Sequence, residues 1–279
     1  MSLGQNLEND REFAKLLSRR RDVDVTVAAL ELSRDAYPEI NIRETLDWIA
    51  RRADELSGPV ALAKNERDAL AELGRCLGGR HGIRGDLECG DNAESSYLPR
   101  VIATRRGIPI SISLLYMAVG ARVGLELAGV NSPGHFLARY ESCDGPLFVD
   151  GYSAGRILTF DQSLAWISDL TGQPHKRVEP LLKPTDPRTI VIRMLRNLKV
   201  QHALQKNWDS AWKVQQRLTL LNPASFDERR DLAVITLRAD RPGRATDLLN
   251  ECLRNCPEEE RGQLESHLNE ARRLLAHRN

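Results

Sequence analysis

The sequence predicts an α+β protein with a helical N-terminal region, a core that joins a buried helix to an antiparallel sheet, and a small all-α domain at the C-terminal end. Three observations indicate this order: helical apolar spacing in residues 22–77, two β-type runs after an almost wholly apolar segment at 110–125, and a 34-residue repeat near the C-terminus. The length of 279 residues is sufficient for two domains.

The N-terminal region is predicted to consist of helices followed by one long loop. In residues 22–57 apolar side chains recur every three or four positions, and Pro38 divides this stretch into two helices. Similar spacing predicts a further helix over 60–77. Residues 78–95 are rich in Gly, Asp, Asn and Ser, and they are predicted to form a loop of a length that often carries function.

The core is predicted around residues 110–125, whose side chains are nearly all apolar or small. A helix that is apolar over most of its surface is buried rather than amphipathic. Pro109 suits the first turn of such a helix, and Gly124 can end it. Another helix is expected over 158–170.

Two β-type runs, His135–Tyr140 and Leu147–Asp150, predict a hairpin because turn-forming residues lie between them. If Tyr140 pairs with Gly145, the side chains of His135 and Asp150 face each other with Cβ atoms about 5 Å apart. A shift of one residue would place them on opposite faces. An imidazole that is hydrogen-bonded to a buried carboxylate is the orienting part of a catalytic triad.

The start of the buried helix is the predicted position of a nucleophile, because helix N-termini stabilise negative charge. Ser111 offers a hydroxyl there, so Ser111, His135 and Asp150 are the candidate catalytic residues. Arg105 and Arg106 precede the helix and are candidate ligands for an anionic group. Each also has a structural interpretation: a first-turn hydroxyl bond for Ser111, an inherited structural hydrogen bond for the His–Asp pair, and solvated surface charge for the arginines.

The C-terminal third repeats with a period of 34 residues. Asn222-Pro223 and Cys256-Pro257 are 34 residues apart, and so are Ala211 and Ala245. This period is typical of tetratricopeptide helix–turn–helix units. Four prolines between 172 and 187 predict a linker with extended character. The predicted organisation is a first domain over 1–178 (helical over 1–77, core over 78–178), a linker over 179–187 and a helical domain over 188–279.

Composition excludes several classes of function. The formal net charge of +1 argues against a nucleic-acid partner, since such proteins usually carry a basic excess. The chain has no run of about 18 apolar residues, so no membrane span is predicted. Five cysteines at irregular spacings predict a reducing cytoplasm, and Cys76, His81 and Cys89 do not form a zinc-ligand pattern. We therefore expect a cytoplasmic protein with no metal and no other cofactor.

Several short motifs resemble the bacterial SirB-type family. They are Ser95-Ser96-Tyr97-Leu98, Arg105-Arg106-Gly107-Ile108-Pro109-Ile110-Ser111, Pro133-Gly134-His135-Phe136-Leu137 and Val149-Asp150. The resemblance spans about residues 20–275, and the same core resembles one found in some eukaryotic F-box proteins. It implies a transglutaminase-like core of papain-like fold, in which a central helix packs on an antiparallel sheet, followed by a tetratricopeptide segment.

The resemblance also implies a site that lacks its nucleophile. In transglutaminases and related cysteine peptidases a cysteine opens the central helix, and His135 and Asp150 match the other two members of that site. The cysteine position falls near residues 110–113, none of which is cysteine. Cys143 lies in the predicted hairpin turn, roughly 15–20 Å from the His–Asp pair, so it is a poor candidate.

Three functional hypotheses follow. The first is a non-catalytic, transglutaminase-like pseudoenzyme that binds a protein or peptide partner through the cleft beside His135 and through its repeats. The alternative is an amide hydrolase or acyl transferase that uses Ser111, His135 and Asp150 as a catalytic triad. The third is a scaffold in which only the C-terminal helices act.

Overall fold

A computed structural model describes residues 10–85 and 92–277 of the chain. These residues form two compact units, of which one ends at Met194 and the other begins at Leu195. The first unit combines helices with an antiparallel sheet, and the second is helical. The predicted α+β class is therefore confirmed.

The first unit begins with four helices: α1 (Arg11–Leu17), α2 (Val25–Ser33), α3 (Ile42–Ala61) and α4 (Glu66–Gly74). The side chain of Asn65 accepts a hydrogen bond from the Asp68 backbone N–H and caps α4. The prediction of a single helix over 60–77 is wrong, because α3 runs to Ala61 and this cap starts a new helix at Glu66.

The segment predicted as a long loop contains short regular elements. A π-helical turn, Arg75–Arg80, continues α4 and enters this segment. The described part also holds β1 (Arg84–Gly85) and a 3₁₀ turn (Ala93–Ser96), whereas residues 86–91 lie outside the described residues. Helix α5 (Leu98–Thr104) follows, and β2 (Arg106–Gly107) pairs in parallel with β1.

The central helix is α6 (Pro109–Arg122), and every residue from Ile110 to Tyr116 is buried. Pro109 occupies its first turn, where the missing backbone N–H costs no hydrogen bond. The helix contacts the sheet strands that follow it in the chain. The buried central helix predicted from the apolar run is thus confirmed.

The sheet is antiparallel, with strand order β3 (Ala128–Val130), β4 (Leu137–Ser142), β5 (Gly145–Asp150) and β6 (Arg156–Thr159). The hairpin is confirmed, but the predicted register is wrong: Tyr140 pairs with Leu147, and Ser142 pairs with Gly145. The turn is only two residues long, and Gly145 continues it at a φ of 106°. A shift of two residues keeps every side chain on its predicted face, since the side-chain period of a strand is two.

The segments after the sheet differ from prediction in two places. The predicted helix over 158–170 is α7 (Phe160–Thr171), and the residues before it belong to β6 because Thr159 caps the helix. The proline-rich stretch includes α8 (His175–Val178) and a 3₁₀ turn (Glu179–Leu182), so it is not extended throughout. The next helix, α9 (Pro187–Leu204), spans the division between the two units. The linker over 179–187 stays a prediction.

The second unit continues with α10 (Trp208–Leu221), α11 (Phe226–Arg238), α12 (Pro242–Arg254) and α13 (Glu258–Ala276). Ala211 and Ala245, which repeat at 34 residues, are both fully buried between helices. A small side chain at this position lets two helices approach closely, as the repeat predicts. No helix in the described ranges is long and apolar enough to cross a membrane.

Candidate functional site

His135 and Asp150 meet at one end of the β4–β5 hairpin. The Nε2 atom of His135 lies 2.8 Å from the Oδ1 atom of Asp150. The pairing of Ala138 with Val149 places Asp150 opposite Leu137, so His135 reaches the carboxylate diagonally from just before the strand. Diagonal neighbours on one face are within reach of long or aromatic side chains. The juxtaposition therefore exists in a register different from the predicted one.

A tight turn aims the imidazole at the carboxylate. Pro133 and Gly134 form its corner, and Gly134 has a φ of 70°, which favours glycine. The Ser132 hydroxyl donates to the His135 carbonyl at 2.9 Å and closes the turn. The backbone before β4 thus fixes the direction in which the His135 ring leaves the chain.

The carboxylate is buried but well supported. Burial alone would raise the pKa of Asp150, yet the hydrogen bond and charge of His135, with bonds from Ser153, hold this pKa below its ordinary value. The backbone N–H of Tyr152 also donates to Oδ1, at 3.1 Å. Because Asp150 is ionised at neutral pH, we assign the proton to Nε2 of His135. The other ring nitrogen, Nδ1, is then the basic one in the neutral imidazole.

Two aromatic side chains enclose the His135 ring. Trp166 of α7 meets it edge to face with ring centroids 4.8 Å apart, and Tyr152 does so at 5.7 Å. On the next turn of α7, Leu170 is 51% exposed and lies against Gly134. Sequence reasoning missed these neighbours, since nothing in a helix pattern shows which face meets a distant turn. The His135 ring is therefore bordered by apolar side chains, of which Leu170 faces solvent.

The central helix α6 packs against the His–Asp end of the hairpin through Ile112, Tyr116 and Ser113. A Cβ atom at Gly151 would lie 2.8 Å from Ile112 and 2.9 Å from Tyr116, so these two side chains pack directly against the turn after Asp150. The Ser113 hydroxyl donates to the carbonyl of Phe136 at 3.2 Å. The papain-like arrangement implied by the resemblance is present, with the helix seated at the His–Asp end of the hairpin.

Ser111, the predicted nucleophile, is fully buried in the first turn of α6. Its hydroxyl lies 2.7 Å from the carbonyl oxygen of Ser95 and 3.0 Å from that of Ile108. These are the contacts of a hydroxyl that joins a helix start to the preceding loop. Within the described part of the chain, the hydroxyl makes no hydrogen bond to His135.

The two described cysteines of the first unit each lie beside a glutamate carboxylate. Cys143 is in the hairpin turn, and its sulfur is 3.9 Å from a carboxylate oxygen of Glu66. Cys76 is in the π-helical turn, and its sulfur is 3.9 Å from Glu55. Cys89 lies outside the described residues.

The two arginines proposed as anion ligands make local backbone contacts. Arg105 ends α5 in the left-handed region, at a φ of 63°, and is exposed. The guanidinium of Arg106 donates to the carbonyls of Arg105 at 3.1 Å and Gly82 at 3.4 Å. Their role towards an anion stays a prediction.

A cavity of about 500 Å³ lies at the opposite end of the hairpin, near its turn. Its lining includes Glu66, Asp144 and Phe160. Glu66 also accepts a hydrogen bond from the Cys143 backbone N–H at 3.0 Å, which ties α4 to the hairpin turn. This concave surface is separate from the His135–Asp150 pair, since the full length of the strands lies between them.

Two family models match the chain in succession. Residues 40–196 match the transglutaminase-like superfamily, and residues 198–273 match the tetratricopeptide repeat. No solved structure is significantly similar to the chain.

Bacterial relatives match over most of their length. A UPF0162 protein of Xylella fastidiosa (strain 9a5c) is 31% identical over 232 residues, which cover 79% of this chain and 80% of the relative. Protein SirB1 of Salmonella typhimurium is 20% identical and covers 85% of this chain and 87% of its own. F-box only protein 21 of Mus musculus is 38% identical over 78 residues, which cover 24% of this chain and 12% of that protein. The chain belongs to the transglutaminase-like superfamily and, as its motifs indicate, to the SirB-type family of UPF0162 proteins.

Proposed function

We propose that this chain is a non-catalytic transglutaminase-like protein that binds a protein or peptide partner. The observation that carries the proposal is the surroundings of the His135 ring, which is held by Asp150 and bordered by Trp166 and Tyr152. A triad needs a nucleophile within hydrogen-bond reach of the base. The Ser111 hydroxyl, the candidate for that role, donates instead to the backbone carbonyls of Ser95 and Ile108.

Two surfaces suit a polypeptide partner. Beside His135, Trp166 and the half-exposed Leu170 are one turn apart on α7 and form an apolar strip. In the second unit, Val200 and Leu204 are one turn apart on α9 and are 52% and 62% exposed. Tetratricopeptide arrays commonly bind partner segments along their extended concave surface. A protein partner therefore fits the chain better than a small substrate.

The binding proposal is tested by identifying a captured partner and reconstituting the complex from purified proteins. Leu170→Asp and the pair Val200→Asp with Leu204→Asp remove the two apolar surfaces. Leu62→Asp is the matched control, because Leu62 directly follows α3 and is 85% exposed. We expect at least one surface variant to weaken binding by about tenfold or more, which corresponds to about 1.4 kcal/mol. Affinities that equal that of the control in both variants would contradict the proposal.

The alternative, an amide hydrolase with Ser111 as nucleophile, is tested on the same protein. A fluorophosphonate probe labels a serine that a neighbouring base has activated. Intact-mass measurement is expected to show no adduct on the wild type. An adduct that disappears in Ser111→Ala and in His135→Ala would favour the hydrolase.

A further inference from the structure

Within the first unit, three side chains with different metal-binding atoms lie close together at a place separate from the His135–Asp150 pair. They are Glu55 of α3, Cys76 of the π-helical turn and His81 directly after it, and their ligand atoms all lie within 4.8 Å of one another. The Oε2 atom of Glu55 lies 2.7 Å from Nε2 of His81 and 3.9 Å from Sγ of Cys76. One carboxylate oxygen thus touches both other donors.

The π-helical turn is what places Cys76 and His81 side by side. In a regular α-helix, residues five apart point about 140° away from each other, since each residue turns the helix by about 100°. Here the His81 backbone N–H donates to the Cys76 carbonyl at 3.0 Å, so the wide turn closes between these two residues. Gly78 permits the turn to pack, because a Cβ there would lie 2.2 Å from the Ala154 carbonyl oxygen. Turns of this kind often occur at functional sites.

Neighbouring side chains on α3 hold the cluster in position. The guanidinium of Arg52 donates to Oε1 of Glu55, which leaves Oε2 for the other donors. Trp48 meets the His81 ring edge to face at 6.0 Å and lies under Arg52 at 5.0 Å. Trp48, Arg52 and Glu55 recur at helical spacing, so one face of α3 orients both the carboxylate and the imidazole. Fixed outer partners of this kind are typical of metal ligands.

We propose that Glu55, Cys76 and His81 bind Zn²⁺, with one coordination position open to solvent. Sulfur, nitrogen and oxygen donors together select this kind of ion, whereas Mg²⁺ and Ca²⁺ take oxygen ligands. Tetrahedral zinc bonds of about 2.0–2.3 Å place the donors roughly 3.3–3.8 Å apart. The Glu55–His81 and Glu55–Cys76 separations require shifts well under 1 Å, and Glu55 and His81 are exposed enough to adjust. With three protein ligands, the open position takes water or a ligand from a partner.

The test uses Co²⁺ as a spectroscopic substitute for zinc on the full-length protein. A bound thiolate gives a near-ultraviolet charge-transfer band. We expect this band to saturate at one Co²⁺ per chain and to disappear when Zn²⁺ is added. Cys76→Ser is expected to abolish the band, and Cys143→Ser, the matched exposed-cysteine control, to retain it. Absence of the band in the wild type, or its survival in Cys76→Ser, would overturn the proposal.

A second variant keeps the test decisive if Cys76→Ser fails to fold, because Cys76 is buried. His81→Ala lies at a partly exposed position and leaves the core intact. Loss of this ligand is expected to lower Co²⁺ affinity by more than the roughly 10–100-fold that an outer partner contributes. Equal affinity of His81→Ala and the wild type contradicts the proposed site.

Discussion

Replacing Asp150 with alanine tests the energetic role of the buried pair. The substitution leaves three donors without their acceptor: Nε2–H of His135 and the backbone N–H groups of Tyr152 and Ser153. Breaking a buried pair by removing one partner costs about 3–5 kcal/mol. Oδ2 of Asp150 has no hydrogen-bond partner in the described chain, so its removal relieves part of the desolvation of the carboxylate. We therefore expect a loss of about 3 kcal/mol, at the lower end of that range.

Native-state hydrogen exchange of the β4 and β5 amides measures this loss within the first unit alone. Asp150→Asn retains an acceptor and is expected to lose less than Asp150→Ala. Asp169→Ala is the control, because Asp169 is exposed on α7. A loss below about 1 kcal/mol in Asp150→Ala, equal to that of the control, would refute the assigned role of the carboxylate.

Three further outcomes are expected. Gly78→Ala destabilises the protein by about 1–3 kcal/mol in urea unfolding, because the new methyl group meets the Ala154 carbonyl, while Gly79→Ala, with open space around it, does not. Ser111→Ala removes a hydroxyl donor from two carbonyls that each keep a backbone N–H donor, and it lowers the free energy of unfolding by about 0.5–1.5 kcal/mol in the same assay. The lowered pKa of Asp150 adds stability that is full above its ordinary value of 3.8 and declines as the pH falls through the lower folded value. Urea titrations from pH 5 downwards should therefore show a steeper decline in the wild type than in Asp150→Asn.

The sequence predicted the central helix and the His–Asp juxtaposition because both depend on strong periodicity. The apolar run of α6 admits only a buried helix, and the alternation in the hairpin fixes which side chains share a face. The register was missed because it depends on turn length. Ser142 pairs with Gly145, so the turn holds two residues, and the turn-forming residues of this stretch do not by themselves fix that length.

The remaining features differ in how strongly the local sequence marks them. The start of α7 has a clear sequence signal, because Thr159 and Gln162 form a capping box. The cluster of Glu55, Cys76 and His81 could not be found from spacing. Its carboxylate comes from a different helix, and its other two donors meet only through a π-helical turn, which no regular periodicity marks.

A turnover assay tests the proposal that the His135–Asp150 pair does not support catalysis. Incorporation of a fluorescent amine into a glutamine-containing peptide, together with release of ammonia, is measured for the wild type, His135→Ala and Ser111→Ala. We expect the same background rate for all three proteins and for buffer alone. A wild-type rate above background that is lost in His135→Ala would contradict the proposal.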